Sequence, residues 1–128
     1  MLKALCLALH LCSSLSGSGF SIDGDTIVVE GFHVRLQGLD AEELKEPNGL
    51  AAKYAMMRFI NGPVTCKLTG DKSYNRYVGS CFVAGNDLAA MMVAQGYALD
   101  CARYSGGKYR HLEPAGIRQK LTQKSYCS

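Results

Sequence analysis

Two strand-like runs with almost nothing between them constrain this chain more than any other feature. "GFSIDGDTIVVEG" passes into "FHVRLQGL" at Glu30-Gly31, a junction that reads as a tight antiparallel hairpin. In the second run Val34 and Leu36 face one way, and His33, Arg35 and Gln37 the other. Leu36 therefore belongs to a core and Arg35 to a polar face. A three-residue loop sets Asp25 opposite Arg35; a two-residue loop shifts the pairing by one and leaves them neighbours.

That second strand ends in "RLQGLDAEE", where Asp40, Glu42 and Glu43 crowd together just beyond Arg35. An acidic surface loop or a helix N-terminus accounts for the carboxylates alone. A metal-assisted phosphate site accounts for the arginine as well. Carboxylates converging from separate segments repel unless a cation lies among them, and oxygen-only ligands favour Ca²⁺ or Mg²⁺. A guanidinium beside such an ion matches a phosphate oxyanion through its bidentate fork.

The remaining elements follow in order. "GLAAKYAMMRFING" sets Leu50, Tyr54 and Met57 on one helical stripe, read as plain core, with Gly62 as its stop. "PVTCKLTG" and "RYVGSCFVAG" form a second strand pair about the turn "DKSYN". "NDLAAMMVAQG" reads as a short helix with an Asn or Asp cap and a terminal Gly. "YALDCARY" reads as a last strand and "HLEPAGIRQKLTQ" as a C-terminal helix with Pro114 in its first turn. No repeat, low-complexity tract or linker interrupts this order. Its β-β-α-β-β-α-β-α succession suggests a small twisted α+β barrel with helices outside, of the oligonucleotide-binding (OB-fold) type.

The chain has 128 residues, the size of one domain. Residues 1–19 are set apart: Lys3, the apolar "ALCLALHLC" and the small-residue "SSLSGSG" form the pattern of a secretory signal peptide, with cleavage expected near Ser16 or Ser18. Residues 20–128 then form the folded domain, exported to a periplasmic or extracellular setting. Four of the six cysteines lie beyond that segment, which suits two disulfides in a small exported domain. Cys66–Cys81 is expected because the pair is roughly symmetric about "DKSYN", and Cys101–Cys127 because it secures the tail. No C-x-x-C pair supports zinc. From Gly19 to Asp100 there are seven basic and ten acidic residues, whereas Cys101 to Ser128 holds six basic residues against Glu113 alone. A basic end on a near-neutral domain fits an anionic partner.

"DGDT" (Asp23–Thr26), "RLQGLDAEE", "SYNR" (Ser73–Arg76) and "DLAAMMVAQGYA" together resemble the staphylococcal (thermonuclease) nuclease family, over about residues 20–120. The resemblance implies a five-stranded OB-fold-type β-barrel with about three packed helices. It also implies calcium-dependent cleavage of DNA and/or RNA that leaves 3′-phosphates, with Mg²⁺ the lesser choice of ion. Carried over, Asp25 and Asp40 become the metal carboxylates and the Ala41 backbone carbonyl a neutral ligand. Arg35 and Arg76 clamp the scissile phosphate, and Glu43 activates or positions water. Tyr74 and Tyr104 become the nucleotide-binding aromatics. Glu42 departs from the family's usual proline, adding a charge to the turn, so Glu42→Pro is expected to leave activity unchanged or raise it. The segment between Glu43 and the first helix is short.

An exported nuclease acting as a monomer, with no membrane association after processing, is the first reading. A catalytically weak OB-fold module that binds nucleic acid or protein is the rival. A disulfide-stabilised structural protein explains the cysteines but leaves the charged face without a reason.

Overall fold

The structure, a computed structural model, describes residues 13–128. Within it lie strands β1 (Ser14–Gly17), β2 (Gly19–Ser21), β3 (Thr26–Val29), β4 (Phe32–Leu36), β5 (Leu39–Asp40), β6 (Val64–Ser73), β7 (Arg76–Val83), β8 (Asn86–Asp87) and β9 (Leu99–Asp100). The α-helices are α1 (Gly49–Phe59), α2 (Leu88–Ala94), α3 (Ala102–Ser105) and α4 (Ile117–Lys120).

Glu30 and Gly31 make the whole turn between β3 and β4, and both have positive φ, 49° and 84°. This mirror-image turn carries the twist that two antiparallel strands require. The two-residue loop pairs Thr26, not Asp25, with Arg35. Val34 and Leu36 are fully buried, as the alternation along β4 requires.

The main sheet runs β1-β6-β7-β4-β3-β2, with β4 parallel to β7 and β8 added to β7. Its two ends, β1 and β2, are consecutive in the chain and separated only by Ser18. One kinked strand thus begins on β6 and finishes on β3, so the chain itself joins the sheet's edges. Glu30 fixes the kink: its backbone N–H donates to the Ser18 carbonyl at 3.2 Å, and its Oε1 accepts the Ser18 amide at 3.1 Å. With β1 and β2 taken as that one strand, β3, β4, β6 and β7 complete the five-stranded α+β barrel of an OB-type fold.

Of the stretch read as a leader, residues 1–12 lie outside the described residues. Ser14–Gly17, assigned to the same leader, form β1 against Val64–Lys67, and Leu15 is 1% exposed in the core. Strand structure therefore begins before residue 20.

Helix α1 reverses the expected packing. Leu50, Tyr54 and Met57 are about half exposed, while Ala52, Ala55 and Met56 are buried against the barrel. Both stripes are apolar, so periodicity could not choose between them; the small side chains let the helix approach closely. Asp87 caps α2, its Oδ1 accepting the Ala89 amide at 2.9 Å. The C-terminal region also differs from expectation. Cys101–Tyr104, read as strand, turns into α3, and the single expected helix breaks at Pro114 and Gly116 into a 3-10 turn (Arg110–Leu112) and α4. Gly116 has φ 79°, a left-handed conformation that ends any continuous helix there. No helix among the described residues is long and apolar enough to cross a membrane.

Among the described residues, disulfides join Cys66 to Cys81, directly opposite on β6 and β7, and Cys101 to Cys127, with Cα separations of 4.0 and 4.6 Å. The second returns the tail to the short β5–β9 pair, where Leu39 faces Asp100.

Candidate active site

The hairpin register brings Asp25 and Arg35 together: Arg35 Nη2 lies 3.5 Å from Asp25 Oδ2. Thr26 Oγ1 donates to Asp25 Oδ1 at 3.1 Å and accepts from Arg76 Nη1 at 2.9 Å. One hydroxyl thus links the acid to the second arginine. Arg76 is held further by Ser73, whose carbonyl and hydroxyl accept from Nε and Nη2 at 3.2 and 2.9 Å. Gly24 permits this arrangement, because a Cβ there would lie 2.5 Å from that of Ala41 and 2.7 Å from that of Ala52. The "DGDT" turn is therefore pressed onto both the acidic loop and α1.

Burial pushes the Asp25 carboxyl up to about 7; Arg35 opposes the rise, and the charges of Asp23 and Glu43 add to it. Glu43 is thus near enough to Asp25 to be felt, while its side chain is half exposed.

A cleft of about 470 Å³ lies beside these groups. Arg35, Arg76, Tyr74 and Tyr104 all line it, joined by Lys72 and Tyr126. Tyr74 is 92% exposed at the β6–β7 turn, with the Arg76 guanidinium 5.8 Å from its ring centroid. Tyr104 meets Tyr126 edge-on at 6.5 Å. Asp25, Asp40 and Glu43 do not form its wall.

Asp40 has a different partner. The Lys124 backbone amide donates to its Oδ2 at 2.9 Å, and the Lys124 ammonium donates to its Oδ1 at 3.2 Å and to the Ala41 carbonyl at 3.0 Å. Glu46 and Glu43 stand 3.6 and 3.9 Å from the same ammonium. Burial works against the charged lysine, but Asp40, Glu46 and Glu43 outweigh it and raise its pKa above the ordinary value. The three groups read as metal ligands, Asp25, Asp40 and the Ala41 carbonyl, do not fit a divalent ion in this arrangement. Lys124 takes both oxygens of Asp40 and the carbonyl of Ala41, and Asp25 is turned to Arg35 and Thr26. Among the described residues no group of three or more His, Cys, Asp or Glu side chains is arranged to hold a metal.

Glu42, the residue that adds a charge to the turn, is buried and fully supplied with donors. It is 4% exposed, and its carboxylate accepts from the Asn48 backbone and side-chain amides and from the Thr122 amide, at 3.0 to 3.1 Å. Burial pushes its carboxyl up, but those donors and the Lys124 charge hold it below its ordinary value.

Sequence reasoning missed Thr26, Ser73, Lys124 and Tyr126. For Tyr126 a signal existed: with Cys127 bonded to Cys101, Tyr126 must lie near Tyr104.

Comparison with known proteins places these residues in a wider context. The family model described as staphylococcal nuclease homologue matches residues 33–125. The chain is 33% identical over 106 residues to succinoglycan biosynthesis protein ExoI of Rhizobium meliloti (strain 1021), covering 73% of this chain and 56% of that protein. It is 29% identical over 92 residues to the probable staphylococcal-like nuclease CAN2 of Oryza sativa subsp. japonica, covering 69% of this chain and 25% of the rice protein. CAN3 of the same plant matches at the same identity over 24% of its length. The chain thus spans about half of the bacterial relative and a quarter of each rice protein.

Proposed function

Because the chain belongs to the staphylococcal nuclease homologue family, we propose that it hydrolyses phosphodiester bonds of DNA or RNA, leaving 3′-phosphates. The observation that carries this reading is the pair of arginines, Arg35 and Arg76, on the wall of one cleft with Tyr74 and Tyr104. Two guanidinium forks suit a phosphodiester, whose charge grows as the attacking oxygen adds. Thr26, Ser73 and Asp25 restrain the arginines beforehand, so little reorganisation accompanies the reaction. Glu43, half exposed and close to Asp25, is the group proposed to take a proton from the attacking water or to orient it. Tyr74 and Tyr104 offer ring faces to the flanking nucleotide.

The two disulfides among the described residues support an oxidising, exported setting, and the proposed working form is a monomer. Calcium belongs to this reading on one condition. It can take Asp40 and the Ala41 carbonyl only if Lys124 gives them up.

The engagement of Asp40 by Lys124 favours one second reading, an OB-type module that binds nucleic acid or protein and cleaves weakly. The bacterial relative, named for succinoglycan biosynthesis rather than for a nuclease, is compatible with it. The deciding experiment incubates the purified, oxidised protein with plasmid DNA and with RNA, in calcium, magnesium or chelator. Cleavage that Glu43→Gln removes supports the enzyme. Binding without cleavage under every condition establishes the module.

A further inference from the structure

Several contacts hold the tail against the acidic loop. Thr122 donates its amide to Glu42, Lys124 donates its amide to Asp40, and Cys127 is bonded to Cys101. These three anchors bracket the Lys124 side chain, which is 21% exposed. Its ammonium donates to Asp40 Oδ1 and to the Ala41 carbonyl oxygen, at 3.2 and 3.0 Å, with Glu46 and Glu43 at 3.6 and 3.9 Å. A calcium ion held by those two oxygens would need both of them free, and both now accept from the ammonium.

We propose that Lys124 is the resident cation of this site: its tethered ammonium holds Asp40 and Ala41 in place of a divalent ion and sets how strongly the protein depends on one. The inference rests on reading Asp40 and Ala41 as the family's ion-binding pair, though not on whether the protein cleaves anything. Lysine is suited to the role. It supplies a compact positive charge and three donors on a flexible stem, enough for two oxygens and one more carboxylate. What it lacks is the second charge and the higher coordination number of calcium. The acidic loop therefore keeps its shape without metal, and a divalent ion has to displace a covalently tethered competitor.

Lys124→Met tests this, since methionine keeps the apolar stem and drops the charge. Calcium is titrated calorimetrically into the oxidised protein, and melting temperature is followed with calcium and with chelator. The expected result is calcium binding at least about tenfold tighter in Lys124→Met than in the wild type. Calcium should also raise the melting temperature of the variant more than that of the wild type. Adding Asp40→Asn to Lys124→Met should remove the gain. Equal affinity in the two proteins overturns the proposal, as does tight wild-type binding that depends on Asp40. If Lys124→Met is unfolded in chelator, refolding on addition of calcium supports the exchange of one cation for the other. Failure to refold counts against it, because a merely structural lysine behaves that way. None of these readouts uses cleavage, so a protein that binds as proposed but cuts nothing overturns the nuclease reading alone.

Discussion

Glu42 Oε2 accepts the backbone amide of Thr122 at 3.0 Å, joining the acidic loop to the tail across 80 residues of chain. The same carboxylate accepts from Asn48 at the start of α1. Three segments therefore meet on one buried side chain.

That contact reverses the effect first expected of Glu42→Pro. Proline stiffens the turn, but it leaves the Thr122 and Asn48 backbone amides without their acceptor, while the Asn48 side chain keeps the Lys120 carbonyl at 3.4 Å. Each such loss costs about 1–3 kcal/mol. The variant should be destabilised by about 3 kcal/mol, lowering the melting temperature on the order of 10 °C. Glu42→Gln, which keeps one acceptor oxygen, should lose less. Thermal unfolding of both variants checks this, and a Glu42→Pro protein as stable as wild type removes the tail-anchoring role.

The proposed catalytic roles separate by substitution. Glu43→Gln and Arg76→Ala should each lower turnover by about 10²–10³-fold, the typical cost of one preorganised electrostatic group. Arg76→Lys keeps the charge but loses the fork that spans Thr26 and Ser73, so it should recover only part of the loss. Asp40→Asn should act mainly on ion dependence and on the tail, through Lys124. Turnover at saturating substrate, with and without calcium, distinguishes these outcomes. Full activity in Glu43→Gln would falsify the assignment of Glu43.

Asp25 gives a pH dependence with a definite sign. Its folded carboxyl is raised to about 7 from 3.8, chiefly by burial. At low pH both states hold the proton and nothing is lost. As pH rises through the unfolded value, the unfolded chain releases its proton while the folded one keeps it, so stability falls until about pH 7 and then levels. In chelator, urea midpoints should therefore decline from about pH 4 to about pH 7 more steeply in the wild type than in Asp25→Asn. Parallel profiles for the two proteins would show that Asp25 does not titrate there.

What could be read from sequence followed how local its cause was. The β3–β4 hairpin, the pairing of Cys66 with Cys81 and the Asp87 cap each depend on residues a few positions apart or mirrored about one turn. Strand alternation set Val34 and Leu36 inside and left Arg35 beside Asp25. The α1 stripe failed because both faces are apolar and only the close approach of Ala52 and Ala55 selects one. Lys124 was illegible for a different reason. It meets Asp40 across 84 residues, through a tail positioned by a two-residue strand pair and a disulfide. No periodicity records such a contact.

The kinked first strand leads to a prediction about processing. Cleavage near Ser16 or Ser18 would remove most of β1, including Leu15, which is 1% exposed and packs with Ile27, Val64 and Cys66 in the core cluster. Losing one buried leucine side chain alone costs about 2–5 kcal/mol. The backbone pairing of Ser14–Gly17 with β6 would go with it and expose that strand's edge. If the N-terminal segment is a removable leader, its cut should therefore fall ahead of Ser14. Intact-mass measurement of the protein recovered from its host should then give a chain that retains Leu15. In parallel, a protein starting at Gly19 should melt at least about 10 °C below one starting at Ser13. Recovery of a stable chain that begins at Gly17 or Gly19, with an unchanged melting temperature, would show that β1 contributes nothing to the mature fold.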